Sequence, residues 1–412
     1  MVNHSILDAM EASMHANRSV GKSAARIAEL DLVRAFAIIG VVTVHATSFA
    51  TTEMSGASPI GYVPYIAANI AMKFGTPVFL FLSSLVLFMR YGDRSLTKET
   101  LGHFYKRRLI HIIIPYAVCS TIYYLAVAMT RPDTERPTSY ALDFLSKLFT
   151  GTAYAHLYFI FINIQFYLLF PLLFWLFRAF PRLISLAIPL GIAIQGAFYL
   201  AGSIVEIPHN ASWSLSYFAY YLLGAYIGSR YSGLRERMLS LRSAFRQRYG
   251  TLLIGGLWFA TGLAHVMIWY DYRAQGIAAP AWTFYLLWSL YAFLSCLVLT
   301  YAALLLEKKL AQTRLVRALK SLAAYSFGIY LLHPLLLAAY REFRPSAADP
   351  LVLHIWYAFG FLLALLGTWG IVAWTQRYIP FAWIGLGRYE GNKQAKASPA
   401  QEVNKLNGNR SL

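Results

Sequence analysis

"LDLVRAFAIIGVVTVHA", residues 30–46, decides how the rest of the chain is read. From Ala35 to Thr52 the stretch is apolar enough to enter a bilayer, where a spanning helix needs about 20 mostly apolar residues. It nevertheless opens on Arg34 and carries His45 near its middle. At 100° per residue the two positions return to within about 20° of one another, so both lie on one helix face, about 16 Å apart along the axis. Asp31 sits one turn before Arg34, within reach of an i,i+3 pair. Such a stripe is costly against hydrocarbon and must face a polar interior or a cavity. Taken singly, Arg34 also reads as an interfacial anchor that snorkels, and His45 as an interhelical hydrogen bond. Together on one face, with no second charge near His45, they point to a site. Imidazole titrates near neutrality and suits proton transfer; guanidinium is always charged and suits phosphate.

Composition agrees with a membrane chain. Of 412 residues, 58% are hydrophobic and 13% charged, and the mean hydropathy is +0.50; soluble domains sit near about 45–50% apolar. The net charge of +18 falls in short clusters between apolar runs, which reads as basic cytoplasmic loops rather than a nucleic-acid surface. Ten spans are expected, near 32–51, 70–89, 109–130, 156–177, 183–203, 213–229, 251–270, 281–305, 321–340 and 351–375. Basic loops (Lys106 to Arg108; Arg178 and Arg182; Arg230, Arg235 and Arg237; Lys308, Lys309 and Arg314) alternate with loops that are poor in base or balanced by acid, such as those with Glu53, with Glu206, and with Arg341, Glu342, Arg344 and Asp349. The reading is an all-α polytopic membrane helix bundle of about ten transmembrane helices with both termini cytoplasmic. Residues 1–28 form a polar lead without a signal-peptide core, 29–387 the membrane domain, and 388–412 a disordered tail. Cys119 and Cys296 lie in apolar runs and read as buried small side chains. With no CxxC, HExxH or Gly-rich phosphate loop, neither a metal nor a bound cofactor is expected.

Three further stretches carry polar groups into spans. "FYKRRLIHIIIPY", 104–116, gathers Lys106, Arg107, Arg108 and His111 at the start of the third span, with Arg108 and His111 on one face. This basic mouth would attract a phosphorylated ligand, while topogenic charge accounts equally for Lys106 and Arg107. "AHLYFIFINIQFYLLFPLL", 155–173, gives the fourth span a polar side of His156, Tyr158, Gln165 and Tyr167. There an aromatic belt and a packing hydrogen bond are the plainer readings of Tyr158 and Gln165. "SFGIYLLHPLLL", 326–337, sets Ser326, Tyr330 and His333 at near-helical spacing before a proline. Lys73, in "KFGTPVFLFLSS", reads as a snorkelling cation.

These residues together resemble the acyltransferase-3 family of integral membrane acyltransferases, over about residues 28–375. The most specific element is an Arg, ten intervening residues and a His, here Arg34 and His45. "GTPVFLFLSS" is similar to the family's second-span motif, with Ser84 where a Gly is usual. "RRLIHIIIP" is similar to its Arg-x-x-Arg element, with Arg108 at the first basic position and His111 in place of the second. "HLYFIFINIQFYLLFP" and "SFGIYLLHP" match well. The extra esterase-like domain of some members is not expected here. The resemblance implies transfer of an acyl group, acetyl by default, from a cytoplasmic acyl-CoA such as acetyl-CoA to a hydroxyl of an extracytoplasmic polysaccharide or other cell-surface glycan, in the plasma (inner) membrane. It implies a catalytic role for His45 with Arg34, donor binding by Arg107, Arg108 and His111, and a substrate pocket near Asp31, Tyr158, Gln165, Ser326, Tyr330 and His333. Direct transfer and an acyl-enzyme relay stay open, as does the alternative of a glycan exporter.

Overall fold

The structure, a computed structural model, describes residues 27–54, 59–92, 95–130, 132, 137–239, 244–346 and 349–388. The polar lead and the tail therefore lie outside the described residues, apart from Ile27, Ala28 and Arg388. The helices are α1 (Ala28–Thr47), α2 (Pro59–Ala71), α3 (Gly75–Tyr91), α4 (Lys98–Arg108), α5 (Ile114–Thr130), α6 (Tyr140–Thr150), α7 (Tyr158–Ala179), α8 (Ala187–Ile204), α9 (Phe218–Ser229), α10 (Tyr231–Leu239), α11 (Ala244–Gln275), α12 (Ala281–Leu310), α13 (Arg314–Arg341), α14 (Pro350–Leu362) and α15 (Thr368–Tyr378). Among the described residues there is no strand, and nine helical stretches are long and apolar enough to cross a membrane.

No residue of α1 is exposed. It is apolar on nearly every side, and such a helix belongs inside a bundle; α13, α3, α12 and α2 pack around it. At the basic end of the bundle Glu29 is buried and accepts hydrogen bonds from Tyr231 Oη at 3.0 Å and Arg235 Nε at 2.5 Å, which ties the start of α1 to α10. Burial and the adjacent carboxylate push the Tyr231 phenol up, and the hydrogen bond to Glu29 raises Arg235.

The sixth of the ten expected spans, 213–229, takes a different form. Two 3-10 turns, Asn210–Ser212 and Ser214–Tyr217, precede α9, whose twelve residues rise only about 18 Å. α9 starts beside the middle of α8: the Gln195 side chain accepts from the Ala219 N–H at 3.1 Å. It ends where Arg230 donates to Ser185, just before α8, at 3.1 Å. The chain thus returns to the end from which α8 left, first as irregular backbone and then as helix. Non-helical backbone at this depth persists only where protein satisfies its polar groups. Gln165 does this with both ends of its amide: Nε2 donates to Ser212 O at 2.7 Å, and Oε1 accepts from the Ser214 N–H at 2.9 Å.

α9 lies on α3 through Gly224 and Gly228, a small-xxx-small pair of the kind that lets membrane helices touch backbone to backbone. A Cβ at Gly224 would stand 2.3 Å from Phe81 O, and one at Gly228 2.4 Å from Leu85 O.

Two local devices aim histidines inward. α6 ends at Gly151, with φ +72°, a left-handed turn that glycine adopts without cost. The chain then dives, so that Ala153, His156 and Leu157 are buried. In α13, Pro334 lacks the N–H that would continue the ladder and bends the helix directly after His333. The opened step is filled from α5: Tyr123 Oη donates to Leu331 O at 2.8 Å and accepts from the Leu335 N–H at 3.0 Å. A proline also shapes the third span. Pro115 follows a π turn, Leu109–Ile113, between α4 and α5, and this turn carries His111.

Gly228→Leu is expected to push α9 off α3 and to cost about 1–3 kcal/mol, read as a lower unfolding midpoint in detergent; an unchanged midpoint would show that the contact is loose. Tyr123→Phe leaves the Leu335 N–H and the Leu331 carbonyl unfilled and should cost about 1–3 kcal/mol by the same measurement.

Candidate functional site

At the end of α1 away from Glu29, three imidazoles converge from separate parts of the chain. The ring of His45 (α1) lies 5.2 Å, centroid to centroid, from that of His333 (α13) and 6.3 Å from that of His156, in the segment before α7. His156 and His333 are 5.9 Å apart. The latter two are fully enclosed, whereas His45 is half-buried. His333 Nδ1 lies 2.9 Å from Ile329 O. A carbonyl only accepts, so in the neutral ring Nδ1 carries the hydrogen and Nε2 keeps a lone pair. His333 Nε2 has no hydrogen-bond partner.

Tyrosines wall this cluster. Tyr123 stacks on Tyr154 at 4.5 Å and meets His156 at 4.9 Å. Tyr330 lies 5.3 Å from the His156 ring and donates its hydroxyl to His156 O. On the far side stands Arg341, the last residue of α13. It donates from Nη2 to His45 O at 2.7 Å and covers the Phe49 ring at 3.7 Å. A guanidinium on the carbonyls of a helix C-terminus both satisfies an orphan acceptor and complements the helix dipole. Asn69 of α2 completes the cap, donating to Val44 O at 2.9 Å and to Thr47 Oγ1 at 3.1 Å. Glu53 is a structural tie: Arg344 donates to it at 2.7 Å, and Tyr357 donates to the same oxygen. A cleft of about 300 Å³ opens against this end of α1, between α2 and α14, lined by Thr43, Thr47, Tyr65, His354, Tyr357 and Phe361 among others.

Towards the basic end Arg34 lies 3.7 Å from Asp31. Arg108 covers Phe104 at 4.6 Å and Tyr167 at 5.1 Å. Its Nε is buried without a hydrogen-bond partner, and the Tyr221 hydroxyl lies among Arg108, Tyr167 and Ser84. Arg107 is exposed. The His111 ring meets Trp383 edge-on at 6.2 Å.

The structure thus brings His45, Tyr330 and His333 together. Asp31 stays beside Arg34, a helix length away. Ser326 is buried on α13, two turns before His333. Tyr158 is half-buried and shares a hydrogen bond with Thr76 at 3.1 Å. Gln165 has both amide ends committed to the 212–214 backbone. Sequence reasoning placed His156 on a polar helix side without assigning it to the site, and read Arg341 as loop charge. The signal for His156 was an imidazole just before an apolar run. For Arg341 it was a cation two turns beyond His333, visible only once α13 is known to continue that far. Among the described residues, no group of three His, Cys, Asp or Glu side chains is disposed to hold a metal ion.

Comparison with known proteins sets these residues in context. Two relatives, each named "Probable poly-beta-1,6-N-acetyl-D-glucosamine export protein", come from Staphylococcus aureus strains MRSA252 and MSSA476. Each is 24% identical over 349 residues, covering 82% of this chain and 90% of the relative. No solved structure matches. The acyltransferase domain family matches residues 27–373, which takes in α1, the histidine cluster and all but the end of α15. With Arg34, His45, Arg108 and His333 all inside that match, the chain belongs to the acyltransferase-3 family of multi-pass membrane proteins.

Proposed function

We propose that this protein moves an acyl group, acetyl by default, from a cytoplasmic acyl-CoA to a hydroxyl of an extracytoplasmic polysaccharide or other surface glycan, working in the plasma membrane. The observation that carries this reading is the cluster of His45, His156 and His333, with ring centroids 5.2–6.3 Å apart and no hydrogen-bond partner at His333 Nε2, at one end of a sheltered helix whose other end holds Arg34. The donor's phosphates sit among Arg34, Arg107, Arg108 and His111, where fixed cations favour phosphate oxygens. The pantetheine arm runs along α1 past Ser84 and Tyr221, and the thioester reaches His45 about 16 Å away.

There the acceptor oxygen attacks the thioester carbon as an imidazole nitrogen of His45 takes its proton. The carbonyl electrons move to oxygen, within reach of the positive field of Arg341. They then return as the carbon–sulfur bond breaks, and the CoA sulfur leaves with the proton. The products are the glycan ester and free CoA. His333 and His156 hold the His45 ring in place and extend the polar environment that accepts the proton. The relatives' names favour a second reading, export of a glycan, in which the same polar groups line a path. Mass spectrometry of envelope glycans from cells with and without the protein separates the two: loss of acyl groups on normally exported polymer supports transfer, and loss of polymer with normal acylation supports export.

His45→Ala should lower the transfer of labelled acetyl from acetyl-CoA by about 10²–10⁴-fold in folded protein reconstituted in vesicles; normal turnover would remove His45 from the mechanism. Arg108→Gln should weaken acetyl-CoA binding by about tenfold, the loss of one charge-assisted hydrogen bond, while leaving the histidine end intact. Unchanged donor affinity would move the phosphates elsewhere.

A further inference from the structure

A second polar cluster lies at the join of α2 and α3, on the α11 side of the bundle and away from the histidines. Lys73 sits in the turn between α2 and α3. The turn's carbonyls are held by aromatic donors from α12: Tyr291 Oη donates to Ala71 O at 3.0 Å, and Trp288 Nε1 donates to Lys73 O at 3.4 Å. Sequence alone assigns Lys73 to snorkelling. In the structure its ammonium stands 4.7 Å from the centre of the Trp269 ring, and Arg273, one turn further along α11, stands 4.9 Å from the same ring. One turn the other way is His265, 1% exposed, with neither ring nitrogen hydrogen-bonded. Arg273 Nη1 is likewise buried without a partner.

The two cations act on one another electrostatically, and Lys73 also acts on His265. Among the described residues no carboxylate lies within ion-pair distance of Lys73 or Arg273. Ring contact with a shared indole offsets only part of the cost of holding two like charges together at membrane depth. An anion placed between them would remove the repulsion and supply acceptors for the unused N–H groups. The flanking surface is greasy: Leu263, Met267, Trp282 and Leu286 are about half exposed or more, as befits a face turned to lipid chains. An anion that approaches along such a face carries its own hydrocarbon. Basic pockets between membrane helices suit lipid phosphates for this reason.

We propose that Lys73, His265 and Arg273 form a binding site for the phosphate of a lipid, with the acyl or prenyl chains lying along α11 and α12. The source is a membrane phospholipid or a polyprenyl-phosphate carrier, and the chemistry at the site is the same for both. The site does not depend on the acyl-transfer reading, because none of its residues belongs to the histidine cluster or the donor mouth.

The test is native mass spectrometry of the full-length protein, released from neutral detergent after incubation with phosphatidylglycerol, a polyprenyl phosphate or phosphatidylcholine. Retention of either anionic lipid at least about tenfold over phosphatidylcholine, falling by about tenfold in K73Q/R273Q, is the expected result, and the preferred anionic lipid identifies the source. K73R/R273K, which keeps both charges, should retain binding and serves as the control for folding. Equal retention of all three lipids, or undiminished anionic-lipid binding in K73Q/R273Q, would overturn the site.

Discussion

A helix that carries Arg34 and His45 on one face cannot be left against hydrocarbon, and the rest of the bundle follows from that constraint. Shelter requires neighbours on every side of α1, and the structure supplies them from helices far apart in the chain. It also requires that the last carbonyls of α1 find donors, since no water reaches them from lipid. Asn69 and Arg341 meet that need from α2 and α13. The same contacts that finish the helix therefore bring a guanidinium next to His45. A structural necessity and a chemically useful group coincide in one side chain.

The second consequence concerns the partners of His45. A histidine on an ordinary helix turn points wherever the helix face points. His333 and His156 are instead aimed by departures from regular helix: a proline bend whose gap is filled by the Tyr123 hydroxyl, and a glycine turn that sends the 152–157 segment inward. Each departure exposes backbone groups that would be expensive in a membrane, and each is closed by a tyrosine. Tyr123 closes the bend in α13, and Tyr330 closes onto His156 O. The tyrosine-rich wall is thus the means by which irregular backbone survives at this depth.

Much of this was legible in the sequence because hydrophobic length and helical spacing are local properties. The all-α class, the spans and the common face of Arg34 and His45 need only periodicity and bilayer thickness. The form of the sixth expected span, 213–229, escapes the sequence because a window of apolar residues does not distinguish a lipid-facing helix from a short one largely shielded by protein. The helix 218–229 is short because irregular backbone, clasped by Gln165, completes the crossing. That clasp joins residues 47 and 49 positions apart, so no local pattern reveals it. The same holds for the histidine triangle: positions 45, 156 and 333 meet only through tertiary packing, and Arg341 looks like loop charge until α13 is seen to carry it back to α1.

Buried polar atoms without partners provide the strongest link from architecture to chemistry. A folded membrane protein has every incentive to satisfy or delete such groups, because each one costs more in a low-dielectric interior than in water. Several of them lie close to the groups discussed above. Arg108 Nε lies near the basic end; His333 Nε2 lies against His45; His265 and Arg273 Nη1 lie on α11 one turn to either side of Trp269. Imidazole and guanidinium recur among them, side chains suited to moving protons and holding phosphate, and under the function proposed above a bound ligand would offset their burial cost.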